Sequence, residues 1–235
     1  DQIFEFKENK KKPFYSLEKN IVGETHQSKI SKIKNFLRLN KADYLFISAP
    51  ENVAWLLNIR GYDNPFSPIP NAKIIIDKNK KLFLITKKDN AKKIINEKKI
   101  NNNQVIDIKD LPNLIDKLKG RNFIIDNKTC SIFYENIINL KFKILNEYDP
   151  IYKLKSIKNS SEINHMIETH KKDGLALTKF IYWIKNINKK IITEVDAQNK
   201  LEKFRKLNKD YLFPSFNTIA GSGSNGAIVH YRATT

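Results

Sequence analysis

Between Thr25 and Leu145, apolar residues spaced three or four apart alternate repeatedly with short unbroken apolar runs, and that rhythm confines the chain to a layered α/β fold. Ile30, Ile33 and Leu37 mark one amphipathic helix over Thr25 to Asn40. Asp43 to Ser48 reads as a buried strand, and Pro50 opens a short helix through Ala54, Trp55, Leu56 and Leu57. A breaker-rich loop follows, with Gly61, Asn64, Pro65, Pro68 and Pro70. Ala72 to Asp77 and Leu82 to Thr86 read as strands joined by the turn Lys78-Asn79-Lys80. Further on, helices at about Asp89 to Lys98, Leu111 to Leu118 and Ser131 to Asn139 alternate with strands at Gln104 to Ile108, Asn122 to Asp126 and Phe142 to Leu145. No segment repeats another.

Near Asp149-Pro150 the character changes. Asn159-Ser160-Ser161-Glu162 starts a helix with a hydroxyl cap and an acid in the first turn. Ile163, Met166, Ile167 and His170 share one face of it, and the helical pattern runs to about Ile187. Thr193-Glu194 opens a second helix through Leu201, Phe204 and Leu207. Strand-like sequence at Phe213 to Ala220 and at Ala227 to Arg232, around a glycine turn, predicts a β-hairpin. These shifts place a domain boundary between Glu147 and Pro150. Residues 1–20, with the charged run Lys7 to Lys12, read as a linker or the end of a preceding domain, 21–148 as one α/β domain, and 149–235 as the start of another. Both ends read as cut: residue 1 is Asp with no apolar targeting stretch behind it, and Ala233, Thr234 and Thr235 follow an alternating run with no cap.

The formal charge of +18 invites a nucleic-acid reading, but the cations argue against it. The arginines are Arg38, Arg60, Arg121, Arg205 and Arg232; the remaining cations are lysines scattered among Asn and Ile along the whole length. Base readers concentrate arginine for bidentate contacts and interleave it with aromatics. The pattern is that of a solvated lysine-rich surface, with no nucleic-acid partner expected. No apolar run reaches the ~18 residues of a membrane span, so no membrane partner is expected either. The lone Cys130 cannot form an internal disulfide, which fits a reducing compartment; with no histidine near it in sequence, it reads as structural.

Three features could carry chemistry. Gly221-Ser222-Gly223-Ser224-Asn225-Gly226 matches the G-x-G-x-x-G pattern of dinucleotide sites, but that motif needs a helix after it, and Ala227 to Tyr231 is β-rich; a glycine-rich turn is the better reading. His165 and His170, five apart on a helix, point about 140° apart and cannot clamp one metal; His165 should face solvent and His170 the packing face, while His26 sits at a helix start with no acid-base partner in view. His230 lies between Val229 and Tyr231, where it is either a core histidine bound to a backbone carbonyl or a residue of a site.

Several stretches, in order, resemble the Xaa-Pro aminopeptidases (aminopeptidase P). Thr218 to Tyr231 resembles the family's glycine-rich segment ending in His-Tyr. Leu154 to Ile163 is similar to its entry into the catalytic domain, His170, Asp173-Gly174 and Ala176-Leu177 to the helix that follows, and Ile192-Thr193-Glu194 with Leu201 to Arg205 to the next. In the first half Ala54 to Gly61, with Asn64-Pro65, matches another of its segments. The resemblance runs from about Asn20 onward.

That resemblance implies an α/β chain: a creatinase-like α/β domain followed by the N-terminal part of a pita-bread (α+β) metallopeptidase domain. It implies hydrolysis of the bond between an N-terminal residue and a following proline, with peptides carrying proline second as substrates. It further implies two divalent ions, manganese by family habit, held by two Asp, one His and two Glu beyond this chain, in a cytoplasmic homodimer. None of Asp173, Asp196 or Asp210 matches the ligand motif, so the segment alone is expected to be inactive. His230 matches the family histidine beside the substrate and takes the catalytic and substrate-binding role. Arg60, opening the Gly/Pro-rich loop, either buttresses that loop or approaches a substrate site in the same or a neighbouring subunit. A non-catalytic peptide- or histone-binding module, or a creatine or dipeptide hydrolase, on the same fold are the rival readings.

Overall fold

The computed structural model describes residues 13–187 and 191–234, and the chain divides after Asn159 into two compact units. The charged run Lys7 to Lys12 lies outside the described residues.

The first unit begins with β1 (Tyr15–Ser16), α1 (Lys19–Val22) and α2 (His26–Leu39), then β2 (Tyr44–Ile47), α3 (Pro50–Leu57) and β3 (Ile59–Arg60). It continues with β4 (Lys73–Asp77), β5 (Leu82–Ile85), α4 (Lys88–Asn96), β6 (Val105–Ile106) and α5 (Leu111–Lys117). It closes with β7 (Asn122–Ile125), α6 (Ile132–Asn139), β8 (Lys143–Asn146) and α7 (Pro150–Ser156). Local chemistry sets several of these ends. Thr25 caps α2 by accepting from Ser28 N, and Pro50 supplies the preset φ of the first turn of α3. Asn58 closes α3 in the left-handed region at φ 53°, a conformation Asn tolerates well.

Six strands form a mixed sheet in the order β6-β5-β4-β2-β7-β8, parallel at β5·β6, β2·β7 and β7·β8 and antiparallel at β2·β4 and β4·β5. The central strands read as unbroken apolar runs because helices cover both faces. On β2, Leu45 and Ile47 point to one face, joining Ile74 and Ile76 of β4 against Ile33 and Leu37 of α2 and Val53 and Leu56 of α3. Tyr44 and Phe46 point to the other, with Phe123 of β7, Ile115 of α5 and Ile138 of α6. Each such side chain, fully buried, contributes about 1.5–3 kcal/mol of transfer free energy.

Helix α7 packs on the first unit. Ile151 is wholly buried in the core that holds α2 and α3. Asp149 caps the helix: its Oδ1 accepts from Ile151 N at 2.9 Å and its Oδ2 from Asn52 Nδ2 at 2.7 Å, while its own N–H donates to Asp126 Oδ2 at 2.9 Å. Burial pushes the Asp149 carboxyl above its ordinary pKa, partly offset by the Ile151 N–H and the Asn52 amide. Beyond α7, Asn159 Nδ2 donates to Val22 O at 2.9 Å, and a Cβ at Gly23, whose φ is +72°, would meet Asn159 Oδ1 at 2.4 Å.

The second unit holds α8 (Ser160–Lys185, 26 residues), α9 (Glu194–Arg205) and a five-residue 3-10 turn, Gly223–Ala227. Arg205 ties the end of α9 to α8, its Nε and Nη2 reaching the two oxygens of Asp173 at 2.6 and 3.2 Å. Ala176 is the buried apolar residue of α8, while Ile163, Met166 and Ile167 are about half exposed. The expected hairpin is absent: the described residues form no strand at 213–220 or 227–232. A strand needs a neighbouring edge to satisfy its backbone, and this segment instead curls around a glutamate carboxylate. Among the described residues no helix is long and apolar enough to cross a membrane.

Candidate active-site segment

The residues that the sequence singled out fall in different units. Arg60 lies on β3 of the first unit, opposite Tyr15 of β1. Its Nη1 donates to Ile59 O at 2.9 Å and to Ala54 O at 3.4 Å, so the guanidinium braces the junction between α3 and β3. His230 lies in the second unit, in the segment that follows the 3-10 turn. Its residue is exposed, and its φ of +55° is left-handed, uncommon outside glycine though more frequent for His than for most residues.

The segment from Gly221 to Tyr231 is shaped by glycine geometry and by one carboxylate. A Cβ at Gly221 would lie 2.7 Å from Asn225 O, so only glycine fits where the turn closes on itself. Gly223 sits at φ +57°. Glu194, the first residue of α9, reaches across to this turn. Its Oε1 accepts from Ser222 N at 2.5 Å and its Oε2 from the Tyr231 hydroxyl at 2.6 Å. Asn225 Nδ2 sits between them, 3.3 and 3.2 Å from the two carboxylate oxygens and 3.0 Å from the Tyr231 oxygen. These bonds, led by that from Tyr231, hold the Glu194 carboxyl below its ordinary range, and the same carboxylate raises the Tyr231 phenol. In the sequence Glu194 stands out as a helix opener and as part of the Ile192-Thr193-Glu194 resemblance. The Thr-Glu-x-Asp spacing does announce the cap beside it, but nothing local to it shows a reach of 28 to 37 residues.

The glycine pattern is not a dinucleotide turn, since no helix follows it to receive a pyrophosphate. Both α8 histidines are exposed; His170 Nδ1 sits 2.8 Å from Met166 O, rather than on a packed face. With Asp173, Arg205, Tyr211 and Phe213, His170 lines a shallow cavity of about 310 Å³ in the second unit. Asp173, Asp196 and Asp210 are engaged by Arg205, Thr193 and Lys172 respectively. Among the described residues, no group of three or more His, Cys, Asp or Glu could hold a metal ion. The described residues therefore do not fit a two-ion centre.

Cys130 is half-buried, and burial pushes its thiol up to about 11. At pH 8 only about one thiol in a thousand is then ionised, and the thiolate is the reacting form. Iodoacetamide should accordingly alkylate the folded chain far more slowly than the chain unfolded in guanidinium, as read by intact mass. Equal rates would contradict the inert placement of this cysteine.

The first unit is a three-layer α/β sandwich, and the second holds a helix pair. Residues 6–162 match the model of the creatinase/prolidase N-terminal domain, and residues 164–235 that of metallopeptidase family M24. The chain belongs to the creatinase/prolidase N-terminal domain family and continues into the start of a metallopeptidase domain. It is 28% identical over 238 residues to Xaa-Pro aminopeptidase 1 of Dictyostelium discoideum, covering 97% of this chain and 37% of that protein. It is 30% identical over 217 residues to Xaa-Pro aminopeptidase ApepP of Drosophila melanogaster, covering 89% of this chain and 35% of that one. The crystal structure of X-prolyl aminopeptidase from Caenorhabditis elegans, described as a cytosolic enzyme with a di-nuclear active site, superposes with a TM-score of 0.82 at 22% identity. That superposition covers 96% of this chain and 38% of the nematode protein. The chain thus spans little more than a third of the length of the relatives it matches. The α/β creatinase-like fold expected from the sequence is the one observed, with the opening of a pita-bread peptidase domain behind it.

Proposed function

We propose that this chain works as part of an Xaa-Pro aminopeptidase, which removes the N-terminal residue from peptides with proline second. The observation that carries the reading is the match along nearly the whole chain, in sequence and in fold, to proteins bearing that name. In this reading the creatinase-like domain, expected over 21–148, takes in α7 as far as Asn159, and the residues after it open the catalytic domain, expected from 149.

The substrate poses a specific problem. An Xaa-Pro bond is a tertiary amide: its nitrogen carries no N–H, and the ring fixes φ. A peptidase that recognises an extended backbone through that N–H has nothing to hold, so recognition must rest on the free amino terminus, the carbonyl and the ring. His230 fits such a role, as an exposed imidazole on a turn held at both ends. Neutral imidazole both donates and accepts, which suits a residue beside the scissile carbonyl. Arg60, braced on carbonyls at the end of α3, either supports its loop or approaches substrate. Two divalent ions, manganese by family resemblance, would activate water and polarise that carbonyl when bound; the reading assigns their ligands to chain outside the described residues, so the 235-residue chain alone is inactive. Cytoplasmic location and a homodimer complete the proposal.

The test pairs two peptides that differ only in having proline or alanine second. The protein carrying this sequence, with all the chain its gene encodes, is incubated with each and with manganese, and products are read by mass. The reading predicts loss of one N-terminal residue from the proline peptide alone. An intact proline peptide would contradict it, and turnover by the isolated 235-residue chain would contradict the assignment of the ligands.

A further inference from the structure

We infer that Glu194 is a positioning residue: its carboxylate clamps the Gly221–Tyr231 turn and so sets where His230 points. For its catalytic consequence the inference rests on the peptidase reading above; for its geometry it does not.

A glutamate at the first position of a helix usually serves the helix itself, through the dipole or as part of a cap. Here that work is done by its neighbours. Thr193 Oγ1 accepts from Asp196 N at 3.1 Å, and Asp196 Oδ2 accepts from both Thr193 N and Thr193 Oγ1, at 2.9 and 2.8 Å. Glu194 is left to face outward, where it takes donors from both ends of one distant turn. Ser222 N enters the turn and Tyr231 leaves it, and each donates to a different oxygen of the same carboxylate. Asn225, inside the turn, bridges the carboxylate and the phenol. Charge-assisted bonds of this kind are about twice as strong as neutral ones.

His230 is bonded in sequence to the anchored Tyr231 and holds a left-handed φ of +55°. A non-glycine residue keeps such a conformation only where its surroundings over-determine it. The Tyr231 anchor supplies that constraint, together with the bond from Tyr231 N to Ile228 O at 3.3 Å. Glu194→Gln preserves the shape but removes the charge and one acceptor oxygen, leaving a single oxygen for Ser222 N or the Tyr231 hydroxyl and an amide that donates to, and no longer accepts from, the other end or Asn225. The clamp then loses its charge-assisted strength, and the backbone at His230 is freer to leave the left-handed region.

Two arms test this. In NMR spectra of the 235-residue chain, Glu194→Gln should shift the Ser222 amide and the His230 Cε1–H together, and Tyr231→Phe should shift the same signals by less. Unchanged His230 signals in both variants would overturn the inference. In the protein carrying this sequence, Glu194→Gln should lower kcat/KM for the proline peptide by about tenfold to a hundredfold, as small misplacements of a substrate contact do. Because Glu194 acts through His230, adding Glu194→Gln to His230→Ala should lower kcat/KM no further. Multiplying losses would overturn the inference. Wild-type protein that turned over no proline peptide would sink the peptidase reading and leave the NMR arm to decide the clamp.

Discussion

Phe123→Ala should lower the unfolding free energy of the first unit by about 3–5 kcal/mol, the usual cost of deleting a buried aromatic ring. Phe123 is wholly buried on β7, and its ring stacks on Tyr44 of β2 with centroids 5.1 Å apart and planes at 25°. Its edge meets Phe142 at 5.3 Å and 72°, and Phe142 in turn meets Tyr44 at 5.5 Å and 74°. The three rings form one closed cluster, so removing one leaves a cavity that the other two cannot fill without giving up their own geometry. Tyr44 is further pinned by its hydroxyl, which donates to Lys119 O at 2.8 Å. Phe123→Leu should cost less than half as much, because it keeps most of the volume. Urea unfolding followed by circular dichroism reads both; a Phe123→Ala loss below about 1 kcal/mol would mean that the cluster relaxes and the packing described is wrong.

Lys29→Ala should cost about 3–5 kcal/mol, more than any ordinary surface lysine, because it removes one partner from a buried polar set. Lys29 is only 1% exposed. Its Nζ donates to Asn58 Oδ1 at 2.6 Å and Trp55 O at 2.9 Å, and lies 4.0 Å from the centroid of the Trp55 ring. Asn58 holds the left-handed end of α3 and donates in turn to Glu24 O at 2.8 Å. Truncation therefore strands the Asn58 oxygen, leaves the Trp55 carbonyl with only its long 3.4 Å bond from Asn58 N, and empties the channel of the lysine stem. Lys29→Met should refill the channel and cost about 1–3 kcal/mol, the penalty of the unmet acceptors alone. Equal losses for the two variants would show that the ammonium, not the stem, carries the whole effect.

The sheet was legible because its residues alternate. Tyr44 and Phe46 face one helical layer while Leu45 and Ile47 face the other, and a strand covered on both sides must read as a continuous apolar run. The helix over Thr25 to Asn40 was legible too, but not its inward face in full. The buried row is Lys29, Ile33 and Leu37, spaced by four, with Ile30 at its border. A lysine on that row reads as solvated until Asn58, far along the chain, turns out to receive its head.

The second unit was harder to read for a physical reason. Apolar alternation at 213–232 resembles strand sequence, yet pairing depends on an edge that no local pattern supplies. The observed turn depends instead on Glu194, whose donors come from 28 to 37 residues downstream. His230 was singled out by the order of motifs around it, whereas composition and spacing alone left it as either a core or a site residue. Its exposure agrees with a contact role and disagrees with a core one.

The most direct test of the account is the kinetic effect of His230→Ala in the protein carrying this sequence, assayed on a peptide with proline second. The account predicts a fall in kcat/KM of at least about a hundredfold, the scale seen when a single hydrogen-bond donor to a reacting carbonyl is lost, with the melting temperature and metal content unchanged. A variant that cleaved the proline peptide as fast as the parent would remove His230 from the reaction and contradict the account.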